Sequence, residues 1–391
     1  MRRRSLGLTL FSGLAIFVSA CSGGGSSPST TTSSSAPSTA ASSEASIAPS
    51  SAASAGAALK IGVVTDVGTL DDKNFNQFSY EGAKKAADEL GGTIQSIVPK
   101  AAADYGPSIQ SFIDQKYEVI VTVGFALGTD TTTFALANKD VHFIGVDQEV
   151  CVDAAGKPDA TFACKGDAAT LLPNYQGLVY KEQEPGYLAG IVAASITKNG
   201  TVGAIGGINL VPAVVKYING YIAGAKSVKA DIKVKTAYVS AGDFTAAFND
   251  PAGGKAFAAQ FITANKPDVL FQVAGKTGNG VLAAACEAKI NAIGVDVDQH
   301  LSTPDAAACI VTSAEKKLAI TVEQAIKRIA DGSSVGGTIV NDAKNDGIGL
   351  SPFYDFQSLI TADTQAKIDA ALKGFKDGTL EPCDPAKCAT P

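Results

Sequence analysis

Short unbroken apolar runs alternate with amphipathic stretches along most of the chain. KIGVVT at residues 60–65 is a buried-strand pattern, and residues 75–90 repeat apolar or small side chains at helical spacing. Phe78, Ala83, Ala86, Ala87 and Leu90 fall on or near one face of that helix, and Gly91-Gly92 ends it. A strand at 94–98, a helix around 107–115, a strand at 119–124, a helix at 130–138 and a strand at 141–147 follow. Continuous apolar strands separated by helices predict a parallel sheet covered on both faces. The order then restarts: helix 186–197, strand TVGAIGG, helix 211–225, strand IKVKTAYVS, helix 253–265, strand PDVLFQVAG, helix 280–288 and strand NAIGVDVDQ. The halves end alike, in GVDQ at 145–148 and GVDVDQ at 294–299, each after a strand that finishes in glycine, Gly124 or Gly275. Two similar open α/β lobes with facing loops are expected. The remainder reads as an amphipathic helix at 314–332, short strands and a helix at 361–377. These complete the two lobes and require several chain crossings. The expected division is 60–178 plus about 305–342 for the first lobe and 179–304 plus about 343–391 for the second.

Ligands of open α/β sheets collect beyond the carboxyl ends of the strands. The candidate loops are 66–75, 124–130, 147–148, 241–251, 275–280 and 296–299. The first, DVGTLDDKNF, lacks the glycines of a dinucleotide loop, and its carboxylates would repel a phosphate but suit hydroxyl and N–H donors. Asp66 stands one residue past a strand and is a candidate ligand contact. Asp71 and Asp72 precede a helix and suit capping of its free N–H groups. Phe75 at the helix start and Phe248, in a loop among Thr245, Asn249 and Asp250, either belong to the core or face each other as a sandwich for a planar group. VAGKTGNGV at 273–281 is no Walker loop, because Lys276 precedes the later glycines. It reads as a flexible loop offering backbone N–H groups and one ammonium, or as a surface turn. Neither H-E-x-x-H nor G-x-S-x-G occurs. A hydrolase acting through aspartate-activated water is the remaining enzymatic alternative.

Arg2, Arg3 and Arg4 before the apolar run at 6–18 make residues 1–20 an export signal, and Val18-Ser19-Ala20 before Cys21 suits lipoprotein processing, with Cys21 lipidated. The run is short for a bilayer span. From 21 to 59 the chain is a Ser/Thr/Ala-rich tether with Glu44 its single charge, too poor in large apolar residues to fold. Without the three arginines, the 32 Lys and Arg fall to 29 against 38 Asp and Glu. That balance argues against nucleic acid as a partner. Six cysteines remain once Cys21 is lipidated. Their spacing in an oxidising compartment suggests Cys151 with Cys164, Cys286 with Cys309 and Cys383 with Cys388, one of fifteen possible connectivities. The two histidines, His142 and His300, are not spaced with the cysteines as a zinc site requires, so no metal or cofactor is expected.

In their order, DVGTLDDKNFNQFSYEGAKKA, EQEPGYLAG, VGAIGG with Pro212 after it, FNDPAGGK, AGKTGNGV and IGVDVDQ resemble the basic membrane protein family of bacterial substrate-binding lipoproteins, whose members include purine nucleoside receptors of ABC transporters. The resemblance spans residues 60 to about 382. It implies the type I periplasmic-binding-protein fold, two doubly wound α/β lobes joined by a three-segment hinge around a closing cleft, and no bond chemistry. Carried to matching positions, it implies Phe75 and Phe248 around a base, Asp66, Asp147, Lys276 and Asp296 as polar contacts, Gly275 offering backbone, and Asn74 or Asn76 assisting. Two departures stand out: Lys73-Asn74 precedes Phe75 where many relatives have serine, and Lys276 replaces a glycine of many relatives. The expected partners are a purine nucleoside (adenosine, guanosine or inosine), an ABC permease and the membrane, reached through the lipid anchor, with the protein a monomer on the extracytoplasmic face. A surface-interaction lipoprotein without a transport role, or a receptor for another small polar ligand, is the alternative.

Overall fold

The computed structural model describes residues 58–383 and Cys388. The expected signal segment, Cys21 and nearly all of the tether lie outside the described residues. In chain order the strands are β1 (Lys60–Thr65), β2 (Thr93–Ile97), β3 (Val119–Val123), β4 (His142–Val146), β5 (Tyr175–Tyr180), β6 (Thr201–Ile208), β7 (Lys233–Ser240), β8 (Val269–Val273), β9 (Asn291–Asp296), β10 (Ile310–Lys316), β11 (Gly337–Asn341) and β12 (Ile348–Leu350). They form two six-stranded sheets, ordered β11-β5-β4-β3-β1-β2 and β12-β10-β9-β8-β6-β7. Among the described residues the ladders are parallel except where β12 meets β10. In each sheet the first strand of its half, β1 or β6, separates the second strand from the third, so winding reverses there. This is the doubly wound layout of the type I periplasmic-binding fold, and it opens a crevice at the strand ends. All five residues of β3 and all five of β8 are buried, which explains why their sequences read as near-continuous apolar runs, each with one polar residue, rather than alternating ones.

Two helices of the second lobe, Gln183–Ile196 and Pro212–Val228, meet backbone to backbone. A Cβ on Gly186 would lie 2.3 Å from the Tyr217 carbonyl oxygen, and one on Gly224 would lie 2.0 Å from that of Tyr187. Gly190 and Gly220 are as tightly placed, each 2.2 Å from an opposing carbonyl. The EPGYLAG motif is therefore explained by helix contact, with glycines four apart on both partners allowing the approach.

The chain passes between the sheets three times: after β5 at 181–182, after β10 at 317, and between β11 and β12 at 342–347. Charged groups tie these crossings together. Lys181 Nζ lies 3.2 Å from Asp342 and 3.5 Å from Glu184, while Glu184 accepts the Ala343 N–H at 2.8 Å.

The lobe boundaries differ from the sequence expectation in two places. All of β5, through Tyr180, belongs to the first sheet. Residues 310–316, expected in the first lobe, form β10 of the second sheet, and the first lobe resumes with the helix Leu318–Ala330, which packs against Phe75–Leu90. The helix expected from 314 thus begins four residues later. Its polar start, AEKK, imitated an exposed helical turn, whereas all seven residues of β10 are buried. Disulfides join Cys151 to Cys164, Cys286 to Cys309 and Cys383 to Cys388.

Candidate functional site

The facing strand ends enclose a cleft with about 660 Å³ of empty space, part of it continuous with solvent. Asp66, Phe75, Asn76, Asp147, Phe248, Gly275, Lys276 and Asp296 all line it. Of the sequence-derived candidates only Asn74 does not. Asn74 is fully buried away from the cleft walls. Asn76 reaches the cleft, donating from Nδ2 to the Val67 carbonyl at 2.9 Å.

Asp147 and Asp296 occupy equivalent places in the two lobes. Both hold positive φ, 57° and 64°, a conformation that non-glycine residues adopt rarely and that clusters at functional sites. The glutamines of the two motifs hold these ends in place. Gln148 Nε2 donates to the Gly124 carbonyl at 2.9 Å, and Gln299 Oε1 accepts the Val295 N–H at 2.9 Å. The repeated motif therefore divides its labour: aspartate faces the cleft and glutamine locks the strand ends behind it.

A buried ammonium, overlooked in the sequence, organises the carboxylates. Lys316, at the end of β10 and 3 % exposed, sits 2.5 Å from Asp147, 3.4 Å from Glu182 and 3.8 Å from Asp296. Its Nζ is also 5.2 Å from the Tyr180 ring centroid, 5.4 Å from that of Phe75 and 5.7 Å from that of Tyr217. Burial acts to lower the Lys316 pKa, but Asp147, Asp296 and Glu182 outweigh it and hold the group well above the ordinary lysine value. Asp147 is pushed upward by burial, against the pull of Lys316. Asp296 rises to about 7 because burial outweighs Lys316, and Tyr217 donates to it at 3.3 Å.

Asp66 also rises to about 7, chiefly through burial, although the Val67 and Ala126 N–H groups, at 2.5 Å and 3.2 Å, favour its ionised form. An acid whose folded pKa is raised contributes stability below its unfolded value near 3.8 and loses it as pH climbs through the folded value. His142, whose pKa burial lowers, acts in the opposite direction below about 6.5. The clean reading is therefore a difference between proteins. We expect Asp66→Asn to match the wild-type melting temperature near pH 4 and to exceed it by a margin that grows with pH to roughly 2–5 °C at pH 8. Equal melting temperatures across that range in thermal scans would show that Asp66 is not held in its neutral form.

The conspicuous pair in the first loop separates into two roles. Asp72 accepts the N–H groups of Asn74, Asn76 and Gln77 at 2.9–3.1 Å and so caps the helix. Asp71 instead joins the lobes. Lys276 Nζ donates to Thr69 at 2.9 Å and lies 3.3 Å from Asp71; Asn279 donates to the Asp72 carbonyl at 2.9 Å, and Ser302 to that of Lys73 at 2.8 Å. Lys276 thus lines the cleft while bonded across it. It stands in the first turn of the helix Gly275–Glu287, not in the expected flexible loop. A Cβ on Gly280 would meet the Pro251 carbonyl at 1.8 Å, so this glycine serves close packing of two helices. Phe125, Phe244 and Tyr217 complete the aromatic lining. The first two lay in loops the sequence marked, but nothing distinguished them from core residues.

The fold and these walls can be set against known proteins. The family described as ABC transporter substrate-binding protein PnrA-like matches residues 59–377. An ABC transporter nucleoside-binding protein of Lactococcus lactis subsp. cremoris is 32 % identical over 80 % of this chain and 86 % of its own. Basic membrane protein A of Borreliella burgdorferi is 26 % identical over 79 % of this chain and 83 % of its own. Among solved structures, an ABC transporter solute-binding protein of Aeropyrum pernix superposes with a TM-score of 0.71 at 22 % identity, covering 84 % of this chain and 95 % of its own; that likeness concerns the fold. On sequence and fold together, the chain belongs to the PnrA-like family of ABC transporter substrate-binding proteins, which bind their substrates without transforming them.

Proposed function

We propose that this protein is a lipid-anchored, extracytoplasmic receptor that closes on a nucleoside, foremost a purine nucleoside such as adenosine, guanosine or inosine, and delivers it to the permease of an ABC importer. The observation that carries this reading is the position of two phenylalanines, Phe75 from the first lobe and Phe248 from the second, on the walls of one cleft rich in carboxylates. A base between two rings gains apolar burial and stacking. Asp66, Asp147 and Asp296 accept from its N–H groups and from ribose hydroxyls, Lys276 and the Gly275 backbone donate, and Asn76 assists. A ligand held from both lobes favours the closed form by the difference in its affinity for the two states. Similarity to a nucleoside-binding protein supports the ligand class, and the small residues before Cys21 support the anchor. The receptor acts as a monomer.

Calorimetry on the mature protein tests the ligand. Adenosine, guanosine and inosine are expected to give saturable heat with micromolar or tighter affinity, and ribose none. Saturable binding of ribose with no heat from any nucleoside would overturn the base sandwich.

A further inference from the structure

Beside the cleft lies a second cavity with about 1300 Å³ of empty space, partly open to solvent. It shares Phe125, Asp147, Val211 and Ala213 with the cleft, so the two hollows adjoin across these four residues. Its remaining walls are different. One is the loop closed by Cys151–Cys164, whose Phe162 lies parallel to Phe125 with ring centroids 6.3 Å apart. Phe162 is 63 % exposed. Four carboxylates line the chamber, Asp147, Glu149, Asp159 and Glu182, against a single ammonium, Lys216.

One carboxylate oxygen there is unsatisfied and a second is held by an ion pair alone. Asp147 Oδ1 is buried and accepts no hydrogen bond, and Glu182 Oε2, also buried, has only the ion pair with Lys216. Glu182 is 2 % exposed, and Lys216 Nζ stands 3.5 Å from its Oε2. A buried acceptor without a donor is unfavourable, and a group that brings N–H or O–H to it recovers the lost interaction. Lys316, behind Asp147 and Glu182, and Lys216 offset two of the four carboxylates, so an anion at the same place meets a net negative wall, a phosphate most severely.

We infer that this chamber is an accessory subsite, which takes a hydrogen-bond-donating, cationic or uncharged substituent carried by the nucleoside in the cleft and rejects an anionic one. The inference rests on the nucleoside reading of the cleft. It widens the substrate class from plain nucleosides to nucleosides bearing an amine-ended or polyhydroxylated chain, and it excludes nucleotides by charge rather than by size.

The test is calorimetric titration of the mature protein with adenosine and with adenosines carrying an aminohexyl chain on either the base N6 or the ribose 5′ position. Each is compared with its N-succinylated, anionic counterpart. For one attachment the ammonium-ended ligand is expected to bind at least as tightly as adenosine, and its anionic counterpart about tenfold or more weakly. Thr129 and Glu149 are exposed residues of the chamber that do not line the cleft. Glu149→Lys should narrow the preference for the ammonium chain by several-fold, and Thr129→Trp should weaken the chain-bearing ligand while leaving adenosine within twofold. Loss of binding for both chain-bearing isomers regardless of charge would overturn the subsite, as would equal affinity for ammonium and anionic chains. Silence with adenosine itself would overturn the nucleoside reading, and this inference with it.

Discussion

Lys316→Met is expected to lower the melting temperature by about 5–10 °C at pH 7.5, a loss on the order of 3–5 kcal/mol. The size follows from what the substitution leaves behind. Methionine fills much the same volume, but Asp147, Glu182 and Asp296 lose the one ammonium among the described residues that lies within 4 Å of all three. Removing one side of a buried ionic cluster exposes the other to uncompensated desolvation and mutual repulsion. The pH dependence gives the prediction a second handle. Without the ammonium Asp147 and Asp296 are pushed further upward, and a raised acid loses stability progressively as pH climbs from its unfolded pKa to its folded one. The deficit should therefore be full near pH 8 and shrink as pH falls toward 5. A variant as stable as wild type at pH 7.5, or a deficit that grows on acidification, would remove Lys316 from this role.

The second large effect concerns binding. Phe248→Ala is expected to weaken nucleoside affinity by roughly 10- to 100-fold, in line with about 1–3 kcal/mol for one base-stacking ring, and Phe75→Ala by a similar factor. Both rings are partly buried and touch the hydrophobic core, so truncation also lowers stability somewhat. The diagnostic is the ratio of the two effects, read from calorimetry and thermal scans on the same preparations. Either variant that keeps wild-type affinity while melting earlier identifies its ring as packing. Phe248 is the sharper case, since it stands in the short helix Phe244–Phe248 against the neighbouring Phe244 ring, 6.1 Å away.

Strands were legible because their inward residues repeat without interruption, and the two halves were legible because GVDQ and GVDVDQ end equivalent strands. Those signals also located Asp147 and Asp296. Lys316 was illegible for a physical reason: its partners Asp147 and Glu182 lie 169 and 134 positions away, so locally it looks like one of two lysines on a solvated turn. Glu182 was hidden in the same way, inside a motif whose glycines serve helix packing. The glycines around Lys276 misled in the opposite direction, since glycine at a close contact and glycine in a flexible loop look identical in sequence. Phe125 and Phe244 belonged to loops already marked, yet an aromatic residue beside a strand end is equally consistent with core.

The bonds from residues 69–73 to Lys276, Asn279 and Ser302 join protein to protein, and so favour the closed arrangement whatever the cleft contains. A receptor that carries part of its own closing free energy captures scarce solute more readily, because less of the ligand's interaction is spent in shifting the equilibrium. It also loses contrast. A permease that recognises the closed shape distinguishes a loaded receptor from an empty one only by what the solute adds beyond those bonds. At about 0.5–1 kcal/mol for each polar contact, the loop sets that background over roughly one to two orders of magnitude. It thereby fixes the balance between scavenging at low concentration and wasted encounters at the membrane.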